Sequence, residues 1–340
     1  MKKIYYSLGI FSLLILGVAF YFYTIIYSVQ IEKETSIYIK STDSIAQVVQ
    51  NLDSICLDID HVKTVISLKK YTHVKAGRYI LKKGMNANQV VTLLRSGRQT
   101  PIKVTFNNQT YIEDLAGRLA TQIEADSLSI LNSLTDVDFL QQEGFTHKTV
   151  LHMCMPYTYE CYWTISPNQL RTKLLNAYNR FWNADRIAKA KRFNLDKNEV
   201  IALASIVHKE TSHKAERSKV AGVYLNRVRV GMPLQADPTI IYALKEKYGR
   251  DTVIKRVLKK DLSIESPYNT YLSLGIPSAA IAMPDIDAID AVLNAEKHPY
   301  YYFCASPQKL GTHNFAKNLS QHNRNAAAYQ RWLNKQRIHR

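Results

Sequence analysis

The stretch Asp196-Lys-Asn-Glu-Val-Ile-Ala-Leu-Ala-Ser-Ile-Val-His-Lys-Glu210-Thr211 decides how the chain is read. It has the pattern of a helix from Asp196 to about Ser212. Asp196 suits the N-cap, Glu199 completes a capping box, and Leu195 and Val200 fall at the two positions of a hydrophobic staple. Leu203, Ile206 and Val207 form an apolar stripe, and the next position on that stripe is Glu210. A carboxylate thus stands where the pattern asks for an apolar side chain. Burial disfavours the ionised form of an acid and raises its pKa. An acid that stays protonated near neutral pH can serve as a general acid. The competing reading is that the helix ends near Glu210 and the side chain reaches water; the helix alone leaves both open.

Working outward, Ser166 to about Lys191 has the spacing of one amphipathic helix, with Leu170, Leu174, Tyr178 and Phe181 on one side. Lys214 to Val230 reads as another, with Ala221, Leu225 and Val228 on one face and Gly231 as its stop. Met232-Pro-Leu-Gln-Ala-Asp-Pro-Thr239 is a polar loop leading to a helix from about Ile240 to Lys247. Further loops at Ser266–Tyr271 and Gly275–Pro277 precede a short helix, Ile286 to Leu293. Tyr300 to Ala305 is a strand with Thr312 to Phe315 as its hairpin partner, and a polar, basic helix follows.

Upstream there is a weak repeat. Alternating residues, turn chemistry and helical spacing succeed one another from Ile37, again from Arg78 and again from Lys103, with a helix at about Asp60 to Lys70 between the first two units. Two such units make a small α+β module, bounded by the Gly and Pro of residues 97–101. Met155-Pro-Tyr-Thr-Tyr-Glu-Cys-Tyr-Trp163 is dense in aromatics, which suits either packing on the core or stacking on sugar rings.

The chain of 340 residues carries a net charge of +17 with 46% hydrophobic residues, so it is a folded chain with an acidic partner such as nucleic acid, anionic lipid or an anionic polymer. Ile4 to Val29 contains no formal charge and exceeds the roughly 20 residues needed to span a bilayer. Lys2 and Lys3 before it put the N-terminus in the cytoplasm and the rest outside. The run is too long for a signal-peptide core, and no small-x-small cleavage site follows. A polar stalk, residues 30–36, is expected next. Export argues against nucleic acid, for which the chain also has no motif. Cys154 and Cys161 are the nearest of four cysteines, and either a disulfide or free thiols fits the compartment.

His208 and His213 are five apart, so on a helix they diverge, and no metal site is expected. Neither a nucleophile elbow nor a phosphate loop is present. A glycosidic-bond reaction needs a protonated carboxylic acid, which Glu210 can provide. Glu216 and Asp237 are candidate second carboxylates, with ordinary roles open to both: Glu216 at a helix start, Asp237 in a turn before Pro238.

Ala204-Ser-Ile-Val-His-Lys-Glu-Thr211, Val220-Ala-Gly-Val-Tyr-Leu-Asn-Arg227, Leu234-Gln-Ala-Asp-Pro-Thr-Ile-Ile-Tyr242, Ser266-Pro-Tyr-Asn-Thr-Tyr271 and Pro156-Tyr-Thr-Tyr-Glu160 together resemble the YceG-like endolytic murein transglycosylase family. Departures are His208 in place of Glu, Ala236 in place of Thr or Ser, and Tyr157 in place of Asp. The resemblance implies an α+β chain in three parts: residues 1–35 as cytoplasmic tip, transmembrane anchor and stalk, 36–98 as a LysM-like module, and 99–340 as a larger mixed α/β catalytic domain. It implies a lytic transglycosylase of the cytoplasmic (inner) membrane, with its catalytic domain on the periplasmic side. The enzyme would cut peptidoglycan glycan strands internally, perform no metal or cofactor chemistry, and work beside wall-synthesis enzymes. Glu210 is carried over as the catalytic acid, and Gln235, Asp237, Tyr268 and Asn269 as substrate-binding residues of the groove. The alternative expectation is a non-catalytic, membrane-tethered peptidoglycan-binding protein that organises wall synthesis.

Overall fold

The structure is a computed structural model and describes residues 2–335. The elements run α1 (Lys2–Tyr27), β1 (Thr35–Ile39), α2 (Ile45–Asp53), α3 (Ile59–Leu68), β2 (Gly77–Leu81), α4 (Ala87–Ser96), β3 (Ile102–Thr105), α5 (Ile112–Ala120), α6 (Ser127–Leu134), α7 (Val137–Glu143), β4 (Thr158–Cys161), α8 (Pro167–Phe181), α9 (Ala184–Arg192), α10 (Lys197–Glu210), α11 (Arg217–Arg229), α12 (Asp237–Tyr248), α13 (Ile286–Leu293), β5 (Tyr302–Ala305), β6 (His313–Ala316) and α14 (Leu319–Lys335). This is a mixed α+β chain whose strands pair as β1–β2, β3–β4 and β5–β6. The backbone divides into two compact units.

The first unit comprises the chain up to Val104 with Ala120–Asp126 and Thr158–Ser166. Ile4–Tyr27 of α1 is apolar over 24 residues, long enough to cross a bilayer, and most of its large side chains are exposed as lipid contact requires, Ile25 and Ile26 near its end excepted. It fits a single-pass membrane anchor. The following residues are not the solvated stalk expected from their polarity. Gln30 and Ile31 are buried, the Gln30 side chain accepts from Asp58 N–H at 2.9 Å, and Ile31 forms a bridge with Cys56. Burying Ile31 in the apolar cluster of Val48, Leu52, Val62 and Val90 outweighs the local preference for solvent. Strands β1 and β2 pair antiparallel, Thr35 opposite Leu81. Capping boxes at Ser44 and Asn86 start the two similarly placed helices α2 and α4.

The second unit holds the remaining residues, with α10 at its centre. The capping box Asp196–Glu199 is formed, and Leu195 and Val200 are both buried. Burial is not confined to a stripe, however: every residue from Val200 to Val207 is buried. A helix surrounded on all sides belongs to the core. Ser205, the one polar residue in that run, donates to Ala202 O at 2.6 Å and accepts from Ile281 N–H at 3.1 Å, so its hydroxyl is satisfied. His152 ties the start of α10 to the same loop: its Nδ1 lies 3.0 Å from Asn198 Oδ1 and its Nε2 accepts from Ala280 N–H at 3.0 Å.

Three sequence expectations shift. Ser166–Lys191 is two helices, because Asn183 caps a new one by accepting from Arg186 N–H at 3.0 Å. The helix expected from Ile240 begins at Asp237, with Pro238 in its first turn, where a missing N–H costs nothing. On α11 Ala221 is buried as expected, but Leu225 and Val228 are only half-buried, and the buried set extends instead to Arg217, Val220, Tyr224 and Arg227. The hairpin β5–β6 forms as expected, Tyr302 opposite Ala316. No disulfide joins Cys154 and Cys161.

Candidate functional site

Helix α10 ends at Glu210, and Thr211 leaves it in an extended conformation. The side chain does not go to open solvent. Its carboxyl is enclosed, and Oε2 has no hydrogen-bond partner among the described residues. It lies in a cleft of about 280 Å³ with Tyr224, Arg227, Gln235, Asp237, Tyr271, Tyr302 and His322. Burial pushes the Glu210 carboxyl up to about 7, and the Asp237 carboxylate adds to the rise. A hydrogen bond with Tyr224 and the Arg227 charge oppose it.

Arg227 organises the loop that brings the other groups in. Its side chain is 7% exposed. It donates to Tyr301 O at 2.6 Å, Leu234 O at 2.8 Å, Pro233 O at 3.2 Å and Gln235 Oε1 at 3.4 Å. Its partners are neutral oxygens, so the cation keeps its full influence on the nearby acid. Gln235 sits at φ +51°, a strained value for a residue with a side chain. That backbone is held by Thr270, whose carbonyl accepts from Gln235 N–H at 2.9 Å and whose hydroxyl accepts from Ala236 N–H at 3.0 Å. Asp237, next along, accepts from the Tyr271 hydroxyl at 2.6 Å.

The residues singled out from sequence therefore separate. Gln235 and Asp237 share the cleft with Glu210. Asn269 is fully buried behind the loop, donating to Leu262 O at 3.0 Å and Ile264 O at 2.7 Å while accepting from Tyr271 N–H at 2.8 Å. Tyr268 is buried against Tyr242, ring centroids 4.7 Å apart. These two shape the loop that carries Tyr271 and do not line the cleft. Glu216 turns to the hairpin, where its two oxygens accept from His313 N–H at 3.1 Å and one lies 3.0 Å from His313 Nδ1.

His208 joins a charge cluster beside the cleft. Its Nδ1 lies 3.1 Å from Asp285 Oδ2, and the Arg217 guanidinium, 4% exposed, bridges Asp285 and Asp287 and donates to Thr211 O. Burial raises the Asp285 carboxyl, but His208, Asn108 and Arg217 together hold it below the usual carboxylate range. The cluster fixes the end of α10 against the starts of α11 and α13.

Tyr224, Arg227, Tyr271, Tyr302 and His322 were not read as site residues from sequence. A signal existed for the first two. Arg217, Val220, Tyr224 and Arg227 are spaced as one helical stripe, and polar residues on a buried stripe are the informative kind. Tyr302 and His322 reach the cleft only through the hairpin and α14.

The chain is similar to known proteins along most of its length. Over 320 residues the chain is 27% identical to the endolytic murein transglycosylase of Bacillus subtilis, covering 88% of this chain and 87% of that one. It is 28% identical over 287 residues to the protein of the same name from Streptococcus pneumoniae, covering 77% of this chain and 52% of the longer relative. A crystal structure of a YceG-like protein from Listeria monocytogenes superposes with a TM-score of 0.57 at 25% identity, covering 86% of this chain and 98% of that one. Residues 37–328 match the YceG-like family, and the chain belongs to that family.

Proposed function

We propose that this chain is a membrane-anchored endolytic peptidoglycan transglycosylase with Glu210 as its acid and base. The observation that carries the proposal is the enclosed Glu210 carboxyl, held protonated up to about pH 7 with one oxygen unpartnered. In the first step the Glu210 proton passes to the oxygen linking MurNAc C1 to GlcNAc, and the C1–O bond breaks. In the second, the Glu210 carboxylate takes the proton of the muramoyl C6 hydroxyl as O6 bonds to C1. The product is a 1,6-anhydro-MurNAc end, no water is consumed, and Glu210 returns to its starting state. Asp237 keeps the proton on Glu210 between turnovers, and Gln235 and Arg227 fix the polar edge of the sugar.

A hydrolytic reading has one observation in its favour: Asp237 is a second carboxylate in the same cleft. Incubating the full chain with murein and weighing the new ends by mass spectrometry separates the two. Anhydro ends support the transglycosylase, and reducing ends with the mass of added water overturn it for hydrolysis. Binding to murein without any released fragment would leave the non-catalytic binder. Glu210→Gln is expected to abolish release, and full activity in that variant sinks the assignment.

In this reading α1 crosses the cytoplasmic membrane with its N-terminus inside, residues 36–98 are a LysM-like module that engages glycan, and 99–340 carry the chemistry. Tyr268 and Asn269 act from behind the groove by holding the Tyr271 loop.

A further inference from the structure

The helix that closes the chain reads from sequence as a polar, basic appendage, yet it packs on the hairpin β5–β6 and sends Leu319 and His322 into the cleft that contains Glu210. Their spacing puts both on one face of α14. The His322 ring stacks on Tyr302 with centroids 5.4 Å apart and planes 29° apart. The Arg227 guanidinium lies 5.1 Å from the centre of the same Tyr302 ring. His322 Nδ1 is enclosed and has no hydrogen-bond partner among the described residues. Glu210 Oε2 is in the same condition in the same cleft. Leaving a buried polar atom unpaired is costly, so each such atom calls for a partner. Two of them lining one cleft call for a ligand with several hydroxyl or amide groups.

The remaining groups contributed by the hairpin and α14 are of another kind. Tyr302, Phe303 and Leu319 offer aromatic and aliphatic carbon, and Leu319 is 55% exposed. A pyranose has both properties: a face of C–H bonds that packs on aromatic and aliphatic carbon, and an edge of hydroxyl and N-acetyl groups that needs hydrogen bonds.

We propose that Tyr302, Leu319 and His322 form a saccharide subsite of the cleft, in which the exposed Leu319 side chain packs on the C–H face of one sugar of an N-acetylated glycan, Tyr302 holds the His322 ring in place by stacking, and His322 Nδ1 hydrogen-bonds the sugar's polar edge. The inference rests on the transglycosylase reading for the identity of the glycan, and it makes the C-terminal helix part of the substrate site. His322 acts here as a substrate-binding residue and takes no part in proton transfer to the bond that breaks.

The test measures binding apart from cleavage. The full chain carrying Glu210→Gln, in detergent micelles, is titrated calorimetrically with peptide-free murein glycan strands and with a β-1,4-linked N-acetylglucosamine hexasaccharide. Adding His322→Ala is expected to weaken binding about tenfold, the loss of one well-placed hydrogen bond in a dry site. His322→Asn, which keeps a polar atom near the Nδ1 position, is expected to recover part of it. In the active chain the His322→Ala loss should fall on KM more than on kcat. Binding within twofold of the parent overturns the subsite. An equal loss in the Ala and Asn variants that tracks a fall in Tm assigns His322 to packing and overturns it as well. A wild-type chain that makes no anhydro ends would refute the transglycosylase reading while leaving the binding comparison intact.

Discussion

Glu210→Gln should make the protein more stable, and only above a particular pH. The carboxyl has an ordinary value of 4.5 and is pushed up to about 7, chiefly by burial and then by Asp237. The sign follows from proton counting. Between those two values the folded state binds more protons than the unfolded chain, so stability falls as pH rises through the window and is lowest above 7. At the rate of about 1.4 kcal/mol per pKa step, the folded state loses on the order of 3 kcal/mol when Glu210 ionises in place. Glutamine has nearly the same shape and cannot ionise, so the variant escapes the loss. The two proteins should unfold at similar temperatures at pH 4 and diverge across the window, reaching a difference of roughly 4–6 °C by pH 8.5. Thermal unfolding of both full-length chains in the same detergent, followed by intrinsic fluorescence over a pH series, measures it. Other titrating groups act equally in both proteins and cancel in the difference. A constant offset at all pH values would mean that the substitution altered packing, and a difference that shrinks as pH rises would mean that the carboxyl is stabilised as an anion. Either result refutes the account of Glu210 as an acid held protonated by burial.

Three further outcomes follow from neighbouring groups. Asp237→Asn removes a charge that raises the Glu210 carboxyl, so the alkaline fall in the cleavage rate should move to lower pH, read from a kcat/KM profile against the wild type. His152 is buried and pushed down to about 4 from 6.5, so its contribution is complete above 6.5 and on the order of 3 kcal/mol is lost as pH falls toward 4; His152→Gln should flatten that part of the unfolding curve. Gly222→Ala places a methyl group against Glu296 O and 2.7 Å from His298 Nε2, and denaturant unfolding should show about 1–3 kcal/mol of destabilisation.

How much was legible depends on the range of the interactions. The capping box at Asp196, the stop at Gly231 and the hairpin β5–β6 are set by residues a few positions apart, and the sequence shows each of them. The break at Asn183 is just as local, but it was hidden under a continuous apolar spacing that two helices share with one. The polar neighbours of Gln30 and Ile31 suggest a stalk, whereas their partners, Asp58 and Cys56, are supplied by a loop far along the chain. Tyr268 and Asn269 were singled out through a motif. Motifs preserve residues that shape a loop as faithfully as residues that touch a ligand, and here the buried amide of Asn269 serves the backbone.

Glu210 shows why both initial readings of the helix held a part of the answer. The helix does end there, as the plainer reading required, and an end is what frees the side chain from the core that encloses Val200 to Val207. An acid one turn earlier would have been sealed among apolar side chains with no access for a substrate. One turn later it would have been hydrated, with an ordinary pKa. At the last residue of a buried helix it is dry enough to keep a proton and open enough to give it away. The periodicity that points to an acid on an apolar stripe thus picks out a carboxyl that the structure encloses, for an incomplete reason. What tunes it, Asp237, Tyr224 and Arg227, arrives from α11 and the start of α12. Their roles depend on a loop with its backbone bent to a positive φ at Gln235, which no spacing rule in the sequence announces.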